Sequence, residues 1–380
     1  MKLISRANNV VNLEDDLEVL NILENYPVFM GCVEHNVDED IHADMTWAIS
    51  KTTGILQLTN LIPLEILYES DHDSGVIGDI WLDHHKHFAE FISDFNPKVL
   101  LEIGGAHGIL SREYLKKNQA EWIILEPNPS PAEGVRAKFI KGFFDDKFIF
   151  NDKVDTIVHS HVLEHIYYPD EFTSHISNFL EEGQNLIFSI PNMEEMLKKN
   201  YTNCLNFEHT IFLTEPYIDY FLTKHGFKQV AKKYFREDHS IFYAFKKLNN
   251  TYLAELPANL YDHNKMLYLN YLNYHHDLIF KLNTKILNTK KNQAIYLFGA
   301  HVFAQSLIQF GLNTNRIKNL LDNDQKKQDK RLYGTNLTVK SPHILTSEDR
   351  PIIILKAGIY NNEIIEDILT NINPNTIFWD

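Results

Sequence analysis

The stretch Val99-Leu100-Leu101-Glu102-Ile103-Gly104-Gly105-Ala106-His107-Gly108 decides the fold. Its apolar half is short enough for a buried strand, and the small residues at 104, 105, 106 and 108 let the backbone turn sharply and approach a ligand closely. Upstream, Phe88, Phe91, Ile92 and Phe95 recur at helical spacing within 83–95, and Pro97 ends that helix. Downstream, strand-like runs at Trp122 to Leu125, Thr156 to Val158 and Leu186 to Ile190 alternate with helical patterns at Ser111 to Lys117 and Phe172 to Leu180. This alternation predicts an α/β fold with a parallel sheet and helices on both faces.

The turn does not follow the G-x-G-x-x-G spacing of a dinucleotide site, because positions 106 and 109 are Ala and Ile. Glu126, which ends the apolar run Trp122-Ile123-Ile124-Leu125, adds a second feature. A carboxylate at a strand's C-terminal edge, roughly 20 residues after a glycine turn, can accept hydrogen bonds from both hydroxyls of a ribose.

Composition narrows the partners. The chain has 380 residues, enough for two or three domains, and a formal charge of -15. That charge disfavours a broad grip on nucleic acid, which needs clustered Lys and Arg, and favours a small-molecule or saccharide substrate. Cys32 and Cys204 cannot make a disulfide framework or a four-thiolate zinc site. No signal-peptide core and no run of about 18 apolar residues is present, so the expected setting is the cytoplasm without membrane insertion.

Glu102 to Gly108, Glu126 and Val154-Asp155-Thr156-Ile157-Val158-His159-Ser160-His161-Val162-Leu163-Glu164-His165-Ile166 resemble the successive motifs of class I S-adenosylmethionine-dependent methyltransferases. The resemblance covers about residues 80 to 247 and implies a Rossmann-like core with S-adenosylmethionine as methyl donor. It implies donor contacts from Glu102, Gly104, Gly105, Ala106, Gly108, Glu126 and His161, with Glu102 near the amino acid end. Phe143, in Gly142-Phe143-Phe144-Asp145, falls near the adenine.

The whole arrangement also resembles sugar C-methyltransferases, which join a zinc-binding N-terminal segment, a methyltransferase core and a Rossmann-like C-terminal domain. Pro191-Asn192 and Asn206-Phe207-Glu208-His209 stand where that family places substrate and base residues. Two departures are visible: the chain has no CxxC pair, and Asn206 replaces an aromatic hydroxyl. The acceptor is therefore expected to be sugar-linked, with methylation at carbon or at oxygen both open.

Methyl transfer needs an acceptor held in line and a base for its proton. His209 is the candidate base, with Glu208 placed to orient it and raise its pKa. His161 and His165, one helical turn apart, would share a face toward the acceptor, His165 completing the catalytic set. Asn192 and Asn206 are candidate substrate residues, as are Tyr68 and His72 in a segment, 68–75, that the resemblance makes a lid. A metal held by His159, His161 and His165 lacks the usual accompanying carboxylate or thiol spacing, and no metal is expected. His84, His85 and His87 read as the solvent-facing part of a helix.

The expected domains are an α+β cap over 1–75, the methyltransferase core over 76–247, a helical connector over 248–292 and a smaller Rossmann-like domain over 293–380. In the connector, Leu267, Tyr271, Tyr274 and Leu278 are spaced as one helical face. In the last domain, Gly299-Ala300-His301 follows the run Ile295 to Phe298, and Asp322 closes a later strand; a structural or substrate-gripping role is expected there. Two other readings stay open: a donor-fold protein without turnover, and a nicotinamide oxidoreductase, which the missing glycine at 106 disfavours.

Overall fold

The computed structural model describes residues 1–68, 79–150, 152–249 and 251–380. It divides into two compact units, one built from residues 1–18, 48–195 and 208–264, the other from 19–47, 196–207 and 265–380. Residues 1–75 thus contribute to both.

The first unit is organised by a seven-stranded sheet. Its strands are β1 (Val99–Ile103), β2 (Glu121–Glu126), β3 (Lys138–Lys141), β4 (Thr156–Ser160), β5 (Asn185–Pro191), β6 (Phe227–Phe235) and β7 (Ser240–Lys247). They lie in the order β6-β7-β5-β4-β1-β2-β3. Strands β1 to β5 are parallel to one another, while β7 runs antiparallel to both β5 and β6. The order 3-2-1-4-5 is that of a doubly wound sheet, whose direction of winding reverses between β1 and β4 and leaves a crevice at their carboxyl ends. The antiparallel β7, inserted before β6, is what sets this sheet apart from the all-parallel dinucleotide form.

Residue choice explains the layers. Leu100, Leu101, Ile123, Ile124, Ile157 and Ile187 are no more than 2% exposed, as expected of central strands covered on both faces. The outermost strand β6 carries Lys228, Lys232 and Lys233 at exposed positions, which blunts a free sheet edge. Helices α1 (Asp79–Ser93), α2 (Ile109–Leu115), α3 (Pro169–Phe179) and α4 (Glu215–Lys224) belong to the same unit. Pro169 opens α3 at a position where its missing N–H costs nothing.

The second unit holds a smaller all-parallel sheet of β8 (Ile295–Phe298), β9 (Ile317–Leu321), β10 (Val339–Lys340), β11 (Ile352–Leu355) and β12 (Ile377–Trp379). Its order, β10-β9-β8-β11-β12, repeats the reversal of a doubly wound fold. At the end of β8 the amide of Ala300 donates to Asp322 Oδ2 at 2.9 Å, so the glycine turn and the strand-end carboxylate meet here as well. That carboxylate also takes Lys327 Nζ at 3.2 Å.

The connector is a 29-residue helix, α5 (Leu260–Asn288). Its buried stripe runs through Leu260, Asn264, Tyr268, Tyr271, Leu272, His275, Leu278, Ile279, Leu282 and Ile286, positions that share one helical face. The face expected from Leu267, Tyr271, Tyr274 and Leu278 is corrected accordingly: Tyr274 is 37% exposed, because polar His275 and Asn264 occupy the inward positions. Among the described residues no helix is long and apolar enough to cross a membrane.

Candidate active site

The crevice at the carboxyl ends of β1 and β2 is lined by main chain. Gly104 and Gly108 take φ of +71° and +73°, and Ala106, with a side chain, takes +42°. A Cβ on Gly104 would come within 2.7 Å of Val162 Cγ2, and one on Gly105 within 2.6 Å of Ile124 Cγ2 and 2.8 Å of Glu102 Cδ. The turn is therefore closed down onto β1 and β2, and only glycine fits.

Glu126, at the end of β2, faces this turn. Its Oε2 accepts from the Ala106 amide at 2.9 Å and its Oε1 from the Asn128 amide at 3.1 Å. A carboxylate offers about four acceptor positions, so roughly half remain for hydroxyls of a ligand. The Gly142 amide donates to the Glu126 carbonyl at 3.1 Å, which brings the next residue, Phe143, beside the same strand end with its ring 42% exposed. Phe143 stands edge-on to Tyr68, ring centres 6.3 Å apart, and the Asn128 side-chain amide donates to the Tyr68 carbonyl.

Glu102 is turned inward. It is 2% exposed, its Oε2 accepts from Trp122 Nε1 at 2.7 Å, and burial pushes its carboxyl up to about 7. The position supports the glycine turn from beneath.

Beyond β4 the chain does not form the helix expected from the His161–His165 spacing. His161 adopts φ +54° and only a single 3-10 turn follows, Leu163–His165. The two imidazoles instead flank one carboxylate: Glu164 Oε1 lies 3.3 Å from His161 Nδ1 and 3.9 Å from His165 Nε2. His165 Nδ1 in turn lies 3.4 Å from Tyr68 Oη and 3.7 Å from Glu208 Oε2, and its ring centre is 5.3 Å from that of His209. Tyr68, Glu164, His165, Glu208 and His209 thus form one cluster. The Glu208 carboxylate lies against His165 as well as next to His209 in the chain.

Main-chain ties hold the two loops of this cluster together. The Thr210 amide donates to the Glu164 carbonyl and its hydroxyl to that of Ile166, both at 3.1 Å. Arg6, 4% exposed, donates to the carbonyls of Leu58, Tyr167 and Thr210. Nothing in the spacing of the sequence singles out Arg6, because its partners are remote in the chain.

Of the remaining candidates, Asn192 is buried at the end of β5 and its side chain donates to the Glu237 carbonyl at 2.7 Å, tying down the turn before β7. Asn206 is buried and belongs to the other unit. His72 lies outside the described residues. His159 is buried within β4, stacked on Phe188 with ring centres 4.8 Å apart. The expected solvent-facing role of the α1 histidines is corrected for His84, which is 0% exposed because Phe88, Phe235 and Phe242 close around it.

Burial pushes the carboxyls of Glu164 and Glu208 up to about 7. For Glu164, 1% exposed, the consequence for stability has a definite sign. A carboxyl whose folded pKa lies above its unfolded value contributes stability in full below the unfolded value, and loses it as pH rises through the folded one. The shift from 4.5 to about 7 amounts to roughly 3 kcal/mol, at about 1.4 kcal/mol per unit. Denaturant unfolding of Glu164→Gln beside the parent chain is expected to show the variant gaining stability relative to the parent between pH 5 and pH 8. A pH-independent difference would contradict this.

A family model described as a methyltransferase domain matches residues 81–232. No curated protein matches the chain. Among solved structures, the chain is similar to an S-adenosylmethionine-dependent methyltransferase from Clostridium acetobutylicum, at 15% identity and a TM-score of 0.35, over 48% of this chain and 95% of that one. It is similar also to an O-methyltransferase family protein from Burkholderia thailandensis, at 12% identity and a TM-score of 0.37, over 44% of this chain and 57% of that one. Residues 81–232, which carry the doubly wound sheet and the strand-end carboxylate, are thus similar to a methyltransferase domain.

Proposed function

We propose that the chain transfers a methyl group from S-adenosylmethionine to a small, sugar-linked acceptor. The observation that carries the donor is Glu126: a strand-end carboxylate facing a glycine turn, with acceptor capacity to spare, suits the two ribose hydroxyls of an adenosine. Gly104, Gly105, Ala106 and Gly108 give the close backbone approach, with Glu102 supporting their turn from beneath, Phe143 gives the apolar surface for the base, and His161 borders the opposite end. When bound, the donor supplies an electrophilic methyl on sulfur.

The acceptor's proton falls to His209, within the cluster of Tyr68, Glu164, His165 and Glu208. For a carbon acceptor, imidazole removes a proton beside a carbonyl; for an oxygen acceptor, it takes the hydroxyl proton as the methyl arrives. The net charge of -15 and the resemblance to sugar C-methyltransferases support a sugar-linked acceptor over nucleic acid.

Titration calorimetry with S-adenosylmethionine, followed by labelled-methyl transfer across a panel of sugar nucleotides, tests the reading. Glu126→Ala is expected to weaken donor binding by about 100-fold, the worth of two hydrogen bonds to a charged group at 1.5 kcal/mol or so each. Unchanged affinity in that variant, or binding without methylated product on any acceptor, would refute the assignment of donor site or of turnover respectively.

A further inference from the structure

His84 on α1, His161 after β4 and His239 before β7 converge in the first unit. Their ring centres are 5.3, 5.5 and 6.2 Å apart, and one nitrogen from each lies within 4.8 Å of the others. We propose that these three imidazoles bind a divalent transition-metal ion of the zinc type. This stands whether or not the methyl-transfer reading does, and it departs from the expectation that the chain needs no metal.

The central observation is His84. It is 0% exposed, and neither ring nitrogen has a hydrogen-bond partner. Around it stand Trp81, Phe88, Phe235 and Phe242, with ring centres 5.2 to 6.0 Å away. In such a setting another aromatic ring packs equally well, whereas an imidazole leaves two polar atoms desolvated with no bond in return. Coordination to an ion accounts for the choice of histidine.

The electrostatics favour a ligand over a cation. Neutral imidazole is the form that binds metal, and enclosure by Trp81, Phe88, Phe235 and Phe242 disfavours a charged ring at His84. Glu164 Oε1, 3.3 Å from His161 Nδ1, is placed as the carboxylate that orients a ligating histidine from behind. Ser240 Oγ lies 2.9 Å from His161 Nε2 and 2.6 Å from His239 Nδ1, an oxygen in the same space. Three nitrogens around zinc, at about 2.0–2.1 Å each, leave a fourth position for such an oxygen or for a ligand.

The second group of ligating side chains, Glu164, His165 and His209, is part of the acceptor cluster already described and serves as the control. Untagged full-length protein, stripped with a chelator and dialysed against limiting Co2+, should retain one ion per chain by atomic emission and show the visible absorption of a low-coordinate cobalt site, discharged by Zn2+. His84→Phe, which keeps an aromatic ring in the pocket, should weaken retention at least 100-fold, and His165→Gln should leave it unchanged. Should His84→Phe fail to fold, His239→Gln is expected to give the same loss. The proposal is overturned if the parent chain retains no stoichiometric ion, if both His84→Phe and His239→Gln fold and bind as the parent does, or if the loss occurs in His165→Gln instead.

Discussion

His209→Ala is expected to slow methyl transfer by roughly 10²- to 10⁴-fold while donor affinity stays as in the parent, the range a positioned general base contributes. The separation follows from the geometry. Donor residues hang on the ends of β1 and β2, whereas His209 sits on the loop that Thr210 ties to Glu164. The pH profile adds a second readout. Because burial holds the Glu208 carboxyl up to about 7, Glu208 is largely protonated below that value and supports no positive charge on the cluster of His165 and His209 beside it. Turnover should therefore rise as pH increases through about 7, and Glu208→Gln should flatten that rise. The arrangement around His165 sharpens the test, since Tyr68, Glu164 and Glu208 all face it within 3.9 Å. Full turnover in His209→Ala together with its loss in His165→Gln would move the base to His165.

What could be read from the sequence was what local spacing encodes. The strand at 99–103, its glycine turn and Glu126 are joined within a short stretch of chain, and the Ala106 amide does meet the Glu126 carboxylate. The strand at 295–298 was legible for the same reason, as a compact apolar run. The edge strand 227–235 was not, because FKQVAKKYF places lysines where a buried strand would alternate. Nor was the setting of His84: its neighbours Phe235 and Phe242 come from strands far later in the chain, and only the closed sheet brings them over α1. The His161–His165 spacing misled because a left-handed residue interrupts the turn, and both rings converge through Glu164 instead of through a helix face.

Arg6→Met is expected to cost about 3 kcal/mol of stability, and to lower turnover more than donor affinity. The guanidinium is buried, and burial brings it down to about 9, still cationic at neutral pH. Its Nε and one terminal nitrogen donate to the Leu58 carbonyl at 2.9 and 2.7 Å; that same nitrogen reaches the Thr210 carbonyl at 2.6 Å, and the other the Tyr167 carbonyl at 2.9 Å. Charge-assisted hydrogen bonds contribute about 1.5–3 kcal/mol each, and the gain from no longer burying a cation offsets part of their loss, which leaves the net figure. Methionine fills much of the volume and donates nothing. Lysine should not rescue, since a point charge cannot reproduce a planar fork spread over three carbonyls. The functional consequence follows from where those carbonyls lie: Tyr167 is two residues past His165 and Thr210 one past His209, so the loops carrying both imidazoles lose their common anchor while the glycine turn keeps its own bonds to β2. Chemical denaturation, calorimetric donor affinity and transfer rates measured on Arg6→Met and Arg6→Lys check the argument, and a variant within 0.5 kcal/mol of the parent, on the order of an ordinary surface change, would show that the loops are held without Arg6.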